Sequence, residues 1–375
     1  MPTVGVIGGG QLARMMIPAA VNLGIELRVL AESAGESAAL AVTSIGSHHS
    51  LDDVLAFAEG VDVVTFDHEH VPQEILRELV SRGIRVRPAP DALLYAQDKL
   101  LMREKLAEFG LPMPEWARIE SPADLEVFLA DNGGRAVVKT ARGGYDGKGV
   151  RVVSSATDIE DWLALGAPLL AEELVEFQRE LAQLVARRES GELVAWPVVE
   201  SIQRDGVCAE VIAPAPDSTG KVADVAAQIA RTVAEGLGVT GVLAVELFLT
   251  TDQRLLINEL AMRPHNTGHW TQDAAVTSQF EQHLRAVLDL PLGSTDARDG
   301  WAVMVNILGG PSAGTLADRY PQAFADQPAV KVHNYGKDPR PGRKVGHVNA
   351  YGADLTETVV RARAAAAYFQ EQNLG

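Results

Sequence analysis

Between two runs rich in β-branched residues, Ala136-Val-Val138 and Val150-Arg-Val-Val153, the chain reads Lys139-Thr-Ala-Arg-Gly-Gly-Tyr-Asp-Gly-Lys-Gly149. Apolar runs on either side of a glycine-rich turn predict a β-hairpin with a pliable loop. Gly143, Gly144, Gly147 and Gly149 let the backbone bend tightly and expose its N–H groups. Those donors, with Lys139 and Lys148, suit a triphosphate. A plain surface hairpin is the alternative, and the density of glycine and positive charge argues against it. The stretch is not a Walker A loop, because no Gly-Lys-Ser/Thr opens a helix here.

The formal charge of −17 disfavours nucleic acid or an anionic membrane as partner, since either needs a basic face. A phosphorylated substrate must then be met by a local cluster of Lys and Arg. A length of 375 residues, 47 % of them hydrophobic, predicts two or three globular domains. Cys208 is the only cysteine, so no internal disulfide forms, which fits a reducing cytosol. Met1-Pro-Thr-Val-Gly-Val-Ile7 carries no basic leader, and no apolar run reaches membrane-spanning length. The expected compartment is the cytoplasm.

The chain opens with a strand, Thr3–Ile7, the turn Gly8-Gly-Gly-Gln-Leu-Ala13, a helix and a second strand over 25–30. Gly8, Gly10 and Ala13 fit G-x-G-x-x-G/A, and Glu32 stands where a ribose-binding acid would, so NAD is one reading of this segment. Strands over 61–66 and 84–87 continue a parallel open sheet. Asp67-His-Glu-His70 lies between them. His68 and His70 form a conceivable zinc pair without a third ligand, and a buried or substrate-contacting Glu69 is the better reading. One helix is expected from Asp91 to Phe109. It carries Lys99, which reads as a solvated lysine unless other features point to a nucleotide. Further on, Glu172-Glu-Leu-Val175 ends an apolar strand like a hinge whose backbone meets an adenine. Glu180 is placed to reach a ribose hydroxyl, with Gln203 further along. The alternative is a strand edge blunted by charge.

Two apolar strands each carry a carboxylate, Val242–Leu249 with Glu246 and Arg254–Leu260 with Glu259. If Asp252-Gln253 are the central turn residues, the register sets Glu246 opposite Glu259. Opposed side chains on neighbouring strands have Cβ atoms about 4.5–5.5 Å apart. Two carboxylates so placed repel and lose hydration, so they need a cation, or one keeps its proton. Oxygen ligands without thiolate or imidazole favour Mg²⁺ or Mn²⁺ over zinc. The polar loop Ala261-Met-Arg-Pro-His-Asn-Thr-Gly-His-Trp-Thr271 follows and reads as substrate-binding; a zinc site at His265 and His269 is the weaker reading. A helix is expected over 274–288. In the tail, Lys337, Arg340, Arg343 and Lys344 form the densest basic cluster of an acidic chain, a seat for a phosphate.

Lysine at a strand end, followed by a glycine flap, resembles the ATP-grasp fold. The wording Gly144-Tyr-Asp-Gly-Lys-Gly149, Ile257-Asn-Glu-Leu-Ala261, His265–Thr271 and Arg340-Pro-Gly-Arg-Lys-Val-Gly-His347 is similar to the 5-(carboxyamino)imidazole ribonucleotide synthase family almost end to end. The resemblance implies an α/β architecture. A Rossmann-like pre-ATP-grasp domain would occupy residues 1–92, with an open parallel sheet. An ATP-grasp domain would occupy 93–290, with its flap at about 115–175, and a small C-terminal domain 291–375. It implies an ATP-dependent ligase of purine biosynthesis that makes carboxyphosphate from ATP and bicarbonate and carboxylates 5-aminoimidazole ribonucleotide. By the same resemblance Lys99, Lys139, Gly144–Val150, Glu172, Glu173, Leu174, Val175, Glu180, Gln203, Asn258 and Glu259 bind ATP, and Glu246 and Glu259 hold Mg²⁺ or Mn²⁺. Tyr145, Asp146, Arg263, His265, Asn266 and Lys344 take catalytic places. Gln11, Glu69, Arg340 and Arg343 add to the substrate site, and the expected assembly is a homodimer. The chain departs from the family at His68 and His70 and at Met262, which replaces a common proline. A formate-using sister ligase and a nicotinamide-dependent dehydrogenase are the rival readings.

Overall fold

Every residue of β1 (Thr3–Ile7) is buried, as a parallel strand covered on both faces must be. Helix α1 (Gln11–Leu23) returns the chain to β2 (Glu26–Ala31). Then come β3 (Val42–Ile45), α2 (Leu51–Ala58), β4 (Val63–Phe66) and α3 (Gln73–Ser81). The four strands form a parallel sheet in the order β3-β2-β1-β4. The computed structural model describes residues 1–144, 149–218, 220–298 and 300–370.

Two helices, α4 (Pro90–Gln97) and α5 (Lys99–Glu108), lead into a small lobe. It contains β5 (Trp116–Ile119), α6 (Pro122–Asp131), β6 (Ala136–Thr140), β7 (Val150–Val153), α7 (Glu160–Leu163) and β8 (Leu169–Glu173). Its antiparallel sheet, β5-β8-β6-β7, buries its own core of Ile119, Leu125, Val138 and Ala171.

The large sheet takes β9 (Phe177–Arg187), β10 (Leu193–Ala195), β11 (Val199–Arg204), β12 (Val207–Ala213), α8 (Lys221–Gly236), β13 (Gly241–Thr250) and β14 (Leu255–Ala261). After α9 (Thr271–Ala274) and α10 (Gln279–Val287), the chain adds β15 (Trp301–Leu308), α11 (Tyr320–Asp326), β16 (Lys331–Asn334), β17 (Lys344–Gly352) and α12 (Leu355–Ala367). The order is β14-β13-β9-β11-β12-β15-β17-β16, so the C-terminal strands extend the same sheet, and β10 pairs with β9. Helix α10 crosses to the N-terminal unit. Phe280, Leu284 and Val287 join the core of α1, and His283 accepts the Val242 N–H at 3.1 Å and donates to Thr65 Oγ1 at 2.7 Å. Among the described residues no helix is long and apolar enough to cross a membrane.

Three local expectations are corrected, and one strand is added. The strand expected over 84–87 shrinks to one bridge, Val64 to Val86. The strand β3 was not expected. The helix expected from Asp91 to Phe109 breaks at Asp98, whose carboxylate caps α5 by accepting the Leu100 and Leu101 N–H groups at 3.1 Å. The helix expected over 274–288 is α10 alone, restarted by Ser278, which caps it at Glu281 N.

Candidate active site

At the N-terminal turn the protein supplies its own anion. The Asp67 carboxylate accepts the Ala13 N–H at 2.8 Å, and a Cβ at Gly10 would lie 2.0 Å from Asp67 Oδ2. Gly10 is therefore required by a side chain, not by a pyrophosphate. Burial raises the Asp67 carboxyl while the backbone donors pull it back. Glu32 meets His48 at 3.3 Å in the same 340 Å³ recess. The dinucleotide reading of this segment loses the helix N-terminus on which it rests.

The break at Asp98 aims α5 at the glycine loop. Asp98 holds Arg142 at 2.8 Å, the Lys99 N–H donates to Ala141 O at 2.8 Å, and Lys99 Nζ donates to Gly143 O at 3.2 Å. Behind them a closed ring of charges forms. Lys139 Nζ donates to Glu172 Oε2 at 2.8 Å and Asn258 Oδ1 at 3.0 Å. Arg103, fully buried, donates to Glu172 Oε1 at 2.6 Å and to the carbonyls of Ile257 and Asn258 at 2.8 and 2.7 Å. Burial pushes the Glu172 carboxyl up, but Arg103 and Lys139 bring it below its ordinary value. The Glu172 carboxylate is thus paired within the protein, while the residue also lines the cleft. The Glu173 N–H is taken by Glu115 O at 2.9 Å, so the hinge backbone left for a base begins at Leu174 and Val175. Those two residues, Val137, Val152 and the stacked rings of Phe177 and Phe248 give this end of the cleft its apolar walls.

The carboxylate hairpin differs from its expected form twice, and the differences cancel. Its loop has three residues, Thr251–Gln253, closed by Thr250 N to Arg254 O at 2.9 Å, with Gln253 left-handed at φ 65°. The resulting one-residue slip is undone by a β-bulge, since Leu247 pairs with Ile257 but Val245 with Leu260. Glu246 therefore stands level with both Asn258 and Glu259. Lys139 Nζ reaches Glu259 Oε1 at 3.9 Å. Burial pushes the Glu246 carboxyl up, but His265, with Nε2 at 3.2 Å, and the charges of Lys344 and Lys139 hold it below its ordinary value. Glu180 shows the opposite balance. Burial and then the charge of Glu246 raise it to about 7, against the pull of Gln203.

The other end of the cleft is built from distant segments. Glu69 accepts the Met262 N–H at 2.8 Å and Arg263 Nε at 3.0 Å, tying the N-terminal unit to the loop after β14. His265 Nδ1 meets Thr267 Oγ1 at 2.8 Å. The Asn266 amide is buried beside Cys208 and makes no hydrogen bond of sound geometry among the described residues. Lys344 lines this end. Of the remaining basic residues, Lys337 bonds Gln11 Oε1, Arg343 donates to Asp338 O at 3.1 Å, and Arg340 is exposed. Arg340 and Arg343 thus stand apart from the wall that Lys344 joins. Tyr145, Asp146, Gly147 and Lys148 lie outside the described residues. Gly144, Val150, Glu173, Leu174, Val175, Glu180 and Gln203 all line the cleft, whereas Gly149 bonds Thr140 N through its carbonyl at 3.0 Å.

Neither zinc reading finds a site. His48 meets His68 edge-on and His68 stacks on His70, with ring centroids 4.6 and 5.3 Å apart, and burial lowers His68 to about 3. His269 is buried against Gln279 and stacks on His347 at 4.9 Å. Among the described residues no group of three or more His, Cys, Asp or Glu is arranged to hold a metal. Sequence reasoning missed Arg103, Asp98, Phe177, Phe248 and Gln279. Two of these had a signal: Arg103 shares a helix face with Leu100 and Leu106, three residues either side, and Asp98 is an N-cap residue type.

A cleft of 960 Å³ between a small antiparallel lobe and a large sheet, with lysine, hinge and acid-bearing hairpin facing it, defines an ATP-grasp protein. Residues 104–280 match the ATP-grasp domain, 1–97 the ribonucleotide synthetase preATP-grasp domain, and 302–361 the phosphoribosylaminoimidazole carboxylase C-terminal domain. The N5-carboxyaminoimidazole ribonucleotide synthase of Mycobacterium tuberculosis is 52 % identical over 373 residues, covering 97 % of this chain and 87 % of that one. That of Corynebacterium ammoniagenes is 48 % identical over 377 residues, covering 98 % and 91 %. The Aspergillus clavatus synthase with ADP and 5-aminoimidazole ribonucleotide superposes with a TM-score of 0.87 at 32 % identity over 98 % of both chains. The Thermus thermophilus synthetase gives 0.87 at 36 %, over 97 % of this chain and 98 % of that one. This chain belongs to the N5-carboxyaminoimidazole ribonucleotide synthase family of ATP-dependent ligases. The dehydrogenase and formate-ligase readings are set aside.

Proposed function

We propose that the enzyme uses ATP and bicarbonate to carboxylate the exocyclic amine of 5-aminoimidazole ribonucleotide, a step of purine biosynthesis. Bicarbonate oxygen takes the γ-phosphoryl group, ADP leaves, and carboxyphosphate forms. Its C–O bond then breaks to give CO₂ and phosphate, and the amine nitrogen bonds to the carbon and gives up a proton. The observation that carries this reading is the 3.2 Å contact between His265 Nε2 and Glu246 Oε1. It joins the nucleotide end of the cleft to the end walled by Arg263, Asn266 and Lys344, so donor and acceptor meet within one chamber.

Lys139 and Lys99 face the phosphates, with Gly143 and Gly144 beside them. Glu246 and Glu259 would hold the divalent cation, and their oxygen-only donor set at one bulge fits Mg²⁺ or Mn²⁺. When bound, that ion spreads the charge of the transferring phosphoryl group. Phosphoryl transfer asks the protein mainly for placement and for charge opposite the transferring group. Arg263, His265 and Asn266 are placed to hold bicarbonate, with the buried Asn266 amide offering both a donor and an acceptor. Lys344, with Gln11 and the Lys337 that bonds it, would receive the ribonucleotide phosphate. Carboxyphosphate is labile in water, so the chamber must exclude it during turnover. The same reading carries a cytoplasmic homodimer, supported here by the family resemblance.

The test is ADP release by the purified enzyme. Release should require both bicarbonate and the aminoimidazole ribonucleotide. Release that ignores the ribonucleotide, or that formate supports in place of bicarbonate, overturns the proposal.

A further inference from the structure

Two fully buried glutamines lie one turn apart on α10, and each pairs both polar atoms of a single residue's backbone. Gln282 donates to Gly293 O at 2.7 Å and accepts Gly293 N–H at 2.8 Å, away from the cleft. Gln279 makes the same pairing with His265, accepting its N–H at 2.8 Å and donating to its carbonyl at 2.8 Å. Its second amide hydrogen goes to His269 Nδ1 at 2.9 Å. A side-chain amide that closes both backbone groups of one residue acts as a short piece of neighbouring strand. It fixes that residue's position, and so the origin from which its side chain extends.

The surrounding sequence is arranged for this contact. The Gln279 N–H donates to Thr271 Oγ1 at 2.9 Å, and Thr271 Oγ1 donates to Gly268 O at 2.6 Å, which folds the loop back onto the start of α10. A Cβ at Gly268 would stand 2.3 Å from Gln279 Oε1 and 2.4 Å from Leu184 Cδ2, so the loop closes only with glycine there. The imidazole thus anchored is the one that meets Glu246 at 3.2 Å.

We propose that Gln279 is a positioning residue of the reaction: by clamping the His265 backbone it sets the imidazole against Glu246 and shapes the bicarbonate end of the cleft. This rests on the placement of His265 at that end. A buried glutamine with a merely structural role would behave as Gln282 does, which gives the comparison its control.

The experiment is steady-state ADP release with ATP, bicarbonate and the ribonucleotide varied in turn. It uses the full-length enzyme and its Gln279→Met, Gln279→Glu, Gln282→Met and His265→Asn variants. Gln279→Met should raise the KM for bicarbonate about tenfold to a hundredfold, the range of a lost buried hydrogen-bonding partner, and leave the KM for ATP unchanged. Gln279→Glu keeps the acceptor for the His265 N–H and loses both donors, so it should fall between. It also carries the test if the methionine variant does not fold. Gln282→Met should lower Tm without moving the KM for bicarbonate. If every KM rises together in Gln279→Met, or none moves while Tm falls, Gln279 is structural and the proposal fails. If His265→Asn leaves the KM for bicarbonate untouched, the assignment of that end of the cleft fails with it. If His265→Asn raises that KM and the Gln279 variants do not, the positioning role alone is overturned.

Discussion

Glu180, with its proton half released near neutrality, stands on the strand next to Glu246 and takes part of its shift from that charge. Its folded-state value of about 7 exceeds the ordinary 4.5, so the native state binds the proton more tightly than the unfolded chain does. Stability is therefore lost as pH rises from about 4.5 to about 7 and stays level above. Urea melts should find Glu180→Gln as stable as wild type at pH 4 and more stable at pH 8. Equal stability at both pH values would mean that Glu180 ionises freely in the folded protein. Arg103 poses the converse case, a buried cation whose partners are all internal. Arg103→Met leaves the Glu172 carboxylate with Lys139 as its remaining cation and strands two carbonyls, and breaking such a pair costs roughly 3–5 kcal/mol. Replacing Glu172 with Met as well removes the half-paired carboxylate while Lys139 keeps Asn258 and Glu259, so the double variant should recover part of the loss in denaturant melts. A double variant as unstable as the sum of its parts would show that the two residues act separately.

The β13–β14 hairpin shows how far pattern reading reaches at the scale of an element. Alternation of apolar residues made both strands legible, and counting from a short turn set Glu246 near Glu259. The true turn is one residue longer and the bulge at Asn258-Glu259 compensates, a pairing of irregularities that no local rule foretells. The bulge turns Asn258 toward Lys139 while its carbonyl meets Arg103. Glu259→Gln removes one charge at the proposed cation site without altering shape. Turnover should fall by about 10²–10³, the usual cost of one electrostatic contact to a transition state, with an unchanged circular dichroism spectrum. Near-normal turnover would place the cation elsewhere. Helix breaks followed the same logic. Asp98 and Ser278 are ordinary cap residues within apolar patterns; each accepts N–H groups of the turn that follows it, and Asp98 is held further by Arg142.

At the scale of the molecule, the cleft has two ends supplied by different parts of the chain. The proposed ATP end comes from α5, the small lobe and the β13–β14 hairpin, and the proposed acceptor end from the loop after β4, the loop after β14 and the start of β17. Lys344→Met keeps bulk and removes charge, so ribonucleotide affinity should fall about tenfold to a hundredfold while ATP affinity holds, by calorimetry with each ligand. Weaker ATP binding with the ribonucleotide spared would reverse the two ends. Loss of both with a lower Tm would make Lys344 structural. The sequence alone determined the layered α/β class, the glycine hairpin with its lysine and the two acid-bearing strands, because alternation, glycine density and charge placement are local quantities. Its wording also resembled one family along nearly the whole length. Only the tertiary structure decided that Asp67 fills the N-terminal turn, that Arg103 takes up the Glu172 carboxylate, and that Gln279 closes on His265. Each of these is a partnership across 14 to 69 positions of chain, and which buried polar group finds which partner is settled by the packing of elements against one another.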